Sequence, residues 1–107
     1  MRMAKVTTRV FWTPDHVEGM LDLYFSFLAS QRADTAYTKA APIRELAAWQ
    51  QRSKGSVEAK MMNVSAVLDV LGHDWVNGFK PLSNYNKALF DQVSEYIQRK
   101  QTRKVAA

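Results

Sequence analysis

The sequence contains no cysteine. This absence excludes disulfides, cysteine-ligated zinc fingers and thiol catalysis, and it fits a cytosolic protein. The only two histidines, His16 and His73, are far apart, and no second ligand accompanies either of them at metal-binding spacing. The four glycines are isolated, so no glycine-rich phosphate loop is present. An enzyme is therefore the least favoured class of protein, and we expect no metal and no cofactor.

Long apolar runs are also missing. The N-terminal residues include bases but no apolar stretch of the length of a signal peptide or a membrane span. We therefore expect a cytoplasmic protein that does not interact with membranes.

Acidic residues are missing at both ends of the chain. The 107 residues have a formal net charge of +5 and a sequence pI of about 9.7. Arg2, Lys5 and Arg9 come before the first acid, Asp15, and four more bases follow the last acid, Glu95. This balance favours a polyanionic partner, although many small soluble domains are equally basic. We divide the chain into a basic arm at 1–11, a helical domain at 12–98 and a basic tail at 99–107.

Four helices are predicted from capping residues and apolar periodicity. The first begins at Thr13-Pro14-Asp15, where an N-cap, an N1 proline and a first-turn acid coincide. The second lies between Lys39 and Gln51, with Pro42 in its first turn. Its expected inner face consists of apolar residues at helical spacing, namely Ile43, Leu46, Ala47 and Trp49.

The third helix is predicted to start within Ser53 to Ser56 and to run to about Leu71, with Gly72 as its left-handed C′ residue. The fourth is predicted to start near Ser83 or Asn84. No strand-like alternation of useful length follows residue 12. The fold class is therefore all-α: a single four-helix domain with a helix-turn-helix-like three-helix core and a C-terminal helix.

The segment RSKGSVEAKMMNVSAVL, residues 52–68, combines a basic entry with an apolar seam. With that seam turned inward, Ser56, Lys60 and Asn63 are expected to share an exposed edge. Three-helix DNA-binding units place such a helix end in the major groove, where lysine can meet phosphate or guanine and asparagine can pair with adenine. The alternative is an ordinary capped helix with a solvated basic face. The predicted DNA contacts are Lys39, Arg52, Ser53, Lys54, Ser56, Lys60, Asn63 and Lys80.

Several motifs resemble a bacterial domain family. They are a Trp-Thr helix start, a Tyr-x-Lys before the second helix, an Arg-Ser-x-Gly-Ser-x-Glu-x-Lys-x-x-Asn-x-Ser-Ala-Val-Leu run and a Gly-Phe-Lys-Pro loop. Together they span about residues 12–97. They resemble a small helical domain at the N-terminus of HNH-type, restriction-like nucleases, and more loosely Myb/SANT-like and homeodomain-like units. The resemblance implies double-stranded DNA binding in a restriction, phage or mobile-element context, without cutting, because the nuclease part is missing.

A second class of function remains open. A stand-alone copy of such a domain could bind a defence protein, for example as a phage-encoded inhibitor. Exposure of Trp75, Phe79 or Met62 would favour this protein-interaction module, and so would a surface without a continuous basic face. The sequence does not indicate an oligomeric state.

Overall fold

The fold consists of four helices. The computed structural model describes the backbone of residues 11–106 and the side chains of residues 11–101. Within them lie α1 (Pro14–Arg32), α2 (Ala40–Trp49), α3 (Lys54–Val70) and α4 (Lys87–Ala106), and no strand. The all-α fold class is thereby confirmed. None of these helices has both the length and the apolarity that a membrane span requires. The predicted arm bases Arg2, Lys5 and Arg9, and the side chains of Arg103 and Lys104, lie outside the described residues.

Local capping sets the starts of α1 and α3. Thr13 accepts a hydrogen bond from the His16 amide through Oγ1 at 3.1 Å, with Pro14 at N1, as predicted. Ser53 accepts one from the Ser56 amide through Oγ at 3.0 Å. Each side chain satisfies an amide that has no partner inside its helix, which fixes the first residue of the helix.

The first three helices end in the same hydrogen-bonding arrangement. After α3, Gly72 has φ +80, and the next amide bonds back to the carbonyl of Leu68 at 2.8 Å. Asp34 after α1 and Gln51 after α2 take the same left-handed role, with φ of 57 and 59. A Schellman motif needs this conformation, which glycine adopts without a steric penalty and other residues do not.

The central element is α3. Six consecutive residues, 63–68, are buried, so every face of this helical segment is covered. Helices α1, α2 and α4 all contact α3, and the loop at 71–86 crosses it, with the Leu82 amide bonded to the Met62 carbonyl at 3.0 Å. The apolar core is thus built around α3 rather than along one seam of it.

A buried hydroxyl network joins α1, α3 and the following loop. The Tyr24 hydroxyl lies 2.7 Å from Ser65 Oγ and accepts a hydrogen bond from the Val76 amide at 3.0 Å. All three residues are fully buried. Burial raises the pKa of the Tyr24 phenol, so the hydroxyl keeps its proton and can donate it to Ser65 at neutral pH.

Two details of the helix predictions are wrong. Helix α4 begins at Lys87 instead of near Ser83 or Asn84, and Asn86 caps it by accepting a hydrogen bond from the Leu89 amide at 3.0 Å. Trp49 does not belong to the inner face of α2, because its side chain is 70% exposed at the end of that helix.

Candidate nucleic-acid interface

Arg52 lies in the four-residue turn that connects α2 to α3. Its guanidinium carbon lies 3.7 Å from the centroid of the Trp12 ring. Its Nε donates to Gln50 Oε1 at 2.9 Å, and its Nη2 donates to the Phe11 carbonyl at 3.1 Å and to His16 Nδ1 at 2.8 Å. Arg52 therefore ties the entry of α1 to the entry of α3. Desolvation lowers the pKa of this guanidinium.

Lys60 shares the Trp12 ring with Arg52. Its Nζ lies 5.4 Å from the ring centroid, a cation–π distance. Burial, and then the positive charge of Arg52, lower the pKa of the Lys60 ammonium. Two cations are thus held next to one indole ring, an arrangement that an incoming anion would stabilise.

The predicted residues in the first turn of α3 are accessible or partly so. Ser53 and Lys54 are exposed, and Ser56 is partly buried. The Lys54 ammonium lies 3.8 Å from a carboxylate oxygen of Glu58, one turn along the helix. Such an exposed pair contributes little to stability, so a phosphate can compete with Glu58 for the lysine.

The prediction that Asn63 lies on an exposed edge is wrong. Only 7% of Asn63 is accessible. Its Nδ2 donates to the Leu82 carbonyl at 2.6 Å and to Asn84 Oδ1 at 3.0 Å, so both amide hydrogens are used. Asn63 fastens the 71–86 loop onto α3, and it cannot contact a base without releasing that loop.

The other two predicted residues lie elsewhere. Lys39 directs its ammonium at the Asn77 carbonyl and lies 4.7 Å from the centroid of the Phe79 ring. It is therefore engaged within the fold, where it ties the start of α2 to the loop after α3. Lys80 is exposed in that same loop.

The structure brings together residues that are far apart in the sequence. We call Trp12, His16, Trp49, Arg52 and Lys60 the Trp12 patch. The Trp49 ring packs edge-on against His16, with ring centroids 6.3 Å apart, which extends the Arg52 stack to the exposed end of α2. The signal in the sequence was a tryptophan close before each of two capped helix starts: Trp12 directly precedes the cap of α1, and Trp49 lies four residues before the cap of α3.

The excess positive charge lies outside residues 11–101. Residues 11–101 hold ten of the fifteen lysines and arginines and all ten aspartates and glutamates, so their formal charges cancel. The net charge of +5 therefore comes entirely from Arg2, Lys5, Arg9, Arg103 and Lys104. The arm joins the body at Phe11, whose carbonyl Arg52 holds. The described part of the chain therefore begins beside the Trp12 patch, directly after the sequence segment that holds the three arm bases.

Nothing in the described part of the chain groups three or more histidine or acidic side chains closely enough to hold a metal ion. His16 belongs to the Trp12 patch, and His73 lies after α3, far along the chain. Comparison with protein-family models, with curated proteins and with solved structures finds no match for this chain.

Proposed function

We propose that this protein binds double-stranded DNA without cutting it. The first turn of α3 and the Trp12 patch form the contact surface, and the N-terminal arm adds phosphate contacts. The observation that carries the proposal is the convergence of three features at one place. These are the capped start of α3 after a four-residue turn, two cations on the Trp12 ring and the attachment point of the basic arm.

The burial of α3 limits how the DNA is read. Before the helix becomes enclosed at residue 63, the residues at 54–62 are accessible or partly so, except for Val57 and Met61, which are fully buried. Base contacts are therefore confined to about two helical turns, and phosphate contacts supply most of the affinity. The arm bases with Lys54 and Lys60 provide five cations, which corresponds to a slope of about −4.5 in log K against log salt. A cytoplasmic location follows from this function, and a restriction, phage or mobile-element setting is supported by the resemblance alone.

A matched pair of lysines tests the contact surface. Lys54 is the first residue of α3 and pairs with Glu58, while Lys87 is the first residue of α4 and pairs with Asp91 four residues on. Fluorescence anisotropy with a labelled duplex should show that Lys54→Gln weakens binding about eightfold at 0.1 M salt and reduces the salt slope by about 0.9. Lys87→Gln should stay within about twofold of the wild type, because Lys87 lies at the start of α4 and is not part of the proposed contact surface.

The arm is tested in the full-length chain by replacing Arg2, Lys5 and Arg9 with glutamine. The salt slope should then fall by about 2.7, since three phosphate contacts are lost. No binding at 50 mM salt, or equal losses in the Lys54 and Lys87 variants, would refute the proposal.

The second candidate is a protein-interaction module. The three residues whose exposure would have favoured it are buried or partly buried: Phe79 is buried, and Trp75 and Met62 pack against the core. Trp49, which is 70% exposed beside the Trp12 patch, favours it instead. Affinity capture with wild-type and Trp49→Ser baits, from lysate with and without nuclease treatment, distinguishes the two functions. A protein captured from the nuclease-treated lysate only by the wild type supports this candidate, and recovery of nucleic acid alone from the untreated lysate contradicts it.

A further inference from the structure

A groove of about 380 Å³ lies between α1, the end of α3 and the C-terminal half of α4. It is separate from the Trp12 patch and shares no residue with it. Its apolar walls are formed by Phe25, Leu28, Leu68, Tyr96 and Ile97. At about 30 Å³ per non-hydrogen atom, the share of one water in the liquid, the groove accommodates on the order of a dozen such atoms. This volume falls at the small end of the range of ligand sites.

The aromatic wall of the groove is held in place from behind. Phe25 and Tyr96 stack with ring centroids 5.0 Å apart. The Tyr96 hydroxyl donates to Asp22 Oδ1 at 2.7 Å, and this carboxylate is not among the residues that line the groove. The phenol is thus already satisfied, so the ring offers the groove an apolar surface of fixed orientation.

Basic side chains form the rim. Arg32 and Lys100 border the groove on α1 and α4, His73 borders it after α3, and none of the nine lining residues is acidic. Lys100 is positioned by the Tyr96 ring, with Nζ 5.0 Å from its centroid. Arg32 has a partner in Asp74 at 3.7 Å, but both side chains are more than half exposed, so this ion pair is easily exchanged for another.

We propose that the groove binds a small amphiphilic carboxylate, with its hydrocarbon part on the aromatic wall and its carboxylate between Arg32 and Lys100. A groove with space for about a dozen non-hydrogen atoms takes a chain of about ten carbons, counting the carbon of the carboxylate. The sign of the rim charge selects an anionic head group over a neutral or a cationic one.

Decanoate, which has twelve non-hydrogen atoms, is a suitable probe. Isothermal titration calorimetry with the full-length chain should show saturable one-to-one binding of decanoate and at least tenfold weaker binding of decylammonium. Amide chemical-shift changes on adding decanoate should concentrate at the residues that line the groove. Equal binding of the two amphiphiles, or shift changes centred elsewhere, would overturn the proposal.

Three variants test whether Lys100 holds the carboxylate and whether the apolar walls hold the hydrocarbon. Lys100→Gln should weaken decanoate binding about three- to fivefold, whereas Lys87→Gln, about 20 Å away along the same helix, should leave it unchanged. Ile97→Trp fills the groove from a partly buried position and should abolish binding, while circular dichroism verifies that the variant is folded. Wild-type affinity in Lys100→Gln or in folded Ile97→Trp refutes the site. Self-association at high protein concentration that decanoate cannot reverse would also refute the site, because a second copy of the chain would then occupy the groove.

Discussion

Replacing Tyr24 with phenylalanine removes the hydroxyl that links α1, α3 and the loop after α3. The substitution keeps the ring, which is fully buried, and so leaves the packing nearly unchanged. It deprives the Val76 amide of its acceptor and Ser65 Oγ of its partner, both in the dry interior. An unpaired buried polar group costs about 1–3 kcal/mol. The Ser65 hydroxyl can instead donate to a backbone carbonyl one turn back in α3, which reduces the free-energy cost of losing its tyrosine partner. We therefore expect a loss of about 2–3 kcal/mol in the free energy of unfolding.

A double-mutant cycle separates the two hydrogen bonds. Ser65→Ala leaves the Tyr24 hydroxyl bonded to the Val76 amide and should cost about 1 kcal/mol. In the double variant no hydroxyl is left without a partner, so its loss should be about 1 kcal/mol smaller than the sum of the single losses. Urea unfolding followed by circular dichroism measures all three values.

Hydrogen exchange provides an independent measurement of the same network. The Val76 amide should exchange faster in Tyr24→Phe than in the wild type by more than the global destabilisation explains, and Ser65→Ala should not show this excess. If Tyr24→Phe changes the free energy of unfolding by less than about 0.5 kcal/mol, the hydroxyl does not stabilise the fold and this reasoning is refuted.

Gly72→Ala should cost about 1–2 kcal/mol, because φ is +80 there while the space around the new Cβ is open. Gly78→Ala should cost about 1 kcal/mol more in the same urea assay, since a Cβ at φ +95 would lie 2.6 Å from Lys39 Nζ and displace this ammonium from the Asn77 carbonyl; equal losses would contradict this. Gln51→Gly should raise the unfolding free energy by about 0.5–1 kcal/mol, because glycine relieves the left-handed strain at φ 59; a loss would show that the strain is absent. Arg52→Gln should raise the pKa of the Lys60 ammonium, measured by NMR titration, because one of the two causes of its lowering is removed. An unchanged pKa would mean that burial alone lowers it.

The parts of the fold that follow from local chemistry could be predicted from the sequence. The starts of α1 and α3 depend on Thr13 and Ser53, whose side chains bond amides three residues on. The end of α3 depends on Gly72, which takes the left-handed conformation. These signals lie within a few residues of the features they determine.

The errors concern contacts between residues far apart in the chain. Asn63 is buried because its amide meets a carbonyl and a side chain about twenty residues on, in the loop at 71–86. The same contact holds Asn84 outside α4, which explains why that helix begins later, at Lys87. A polar residue in the middle of a helix is predicted to face solvent unless its hydrogen-bond partners are known. No local pattern identifies partners about twenty residues away in the chain.

The candidate site was predicted only in part for the same reason. The sequence of the α3 entry, residues 52–60, predicts an anion-binding segment, since serine, glycine and lysine occur together there. Trp12 contacts Arg52 and Lys60 because α1 and α3 start side by side. This arrangement is set by core packing rather than by neighbouring residues.

The enclosure of α3 has a consequence for how the domain can be divided. A segment that is covered on every side by α1, α2, α4 and the 71–86 loop loses part of its cover whenever one of them is removed. The pair α2–α3 is therefore not an autonomous folding unit that could be grafted onto another protein. Cutting the chain before α4 would expose apolar side chains of α3 and favour aggregation, so the four helices should unfold and refold as one cooperative whole.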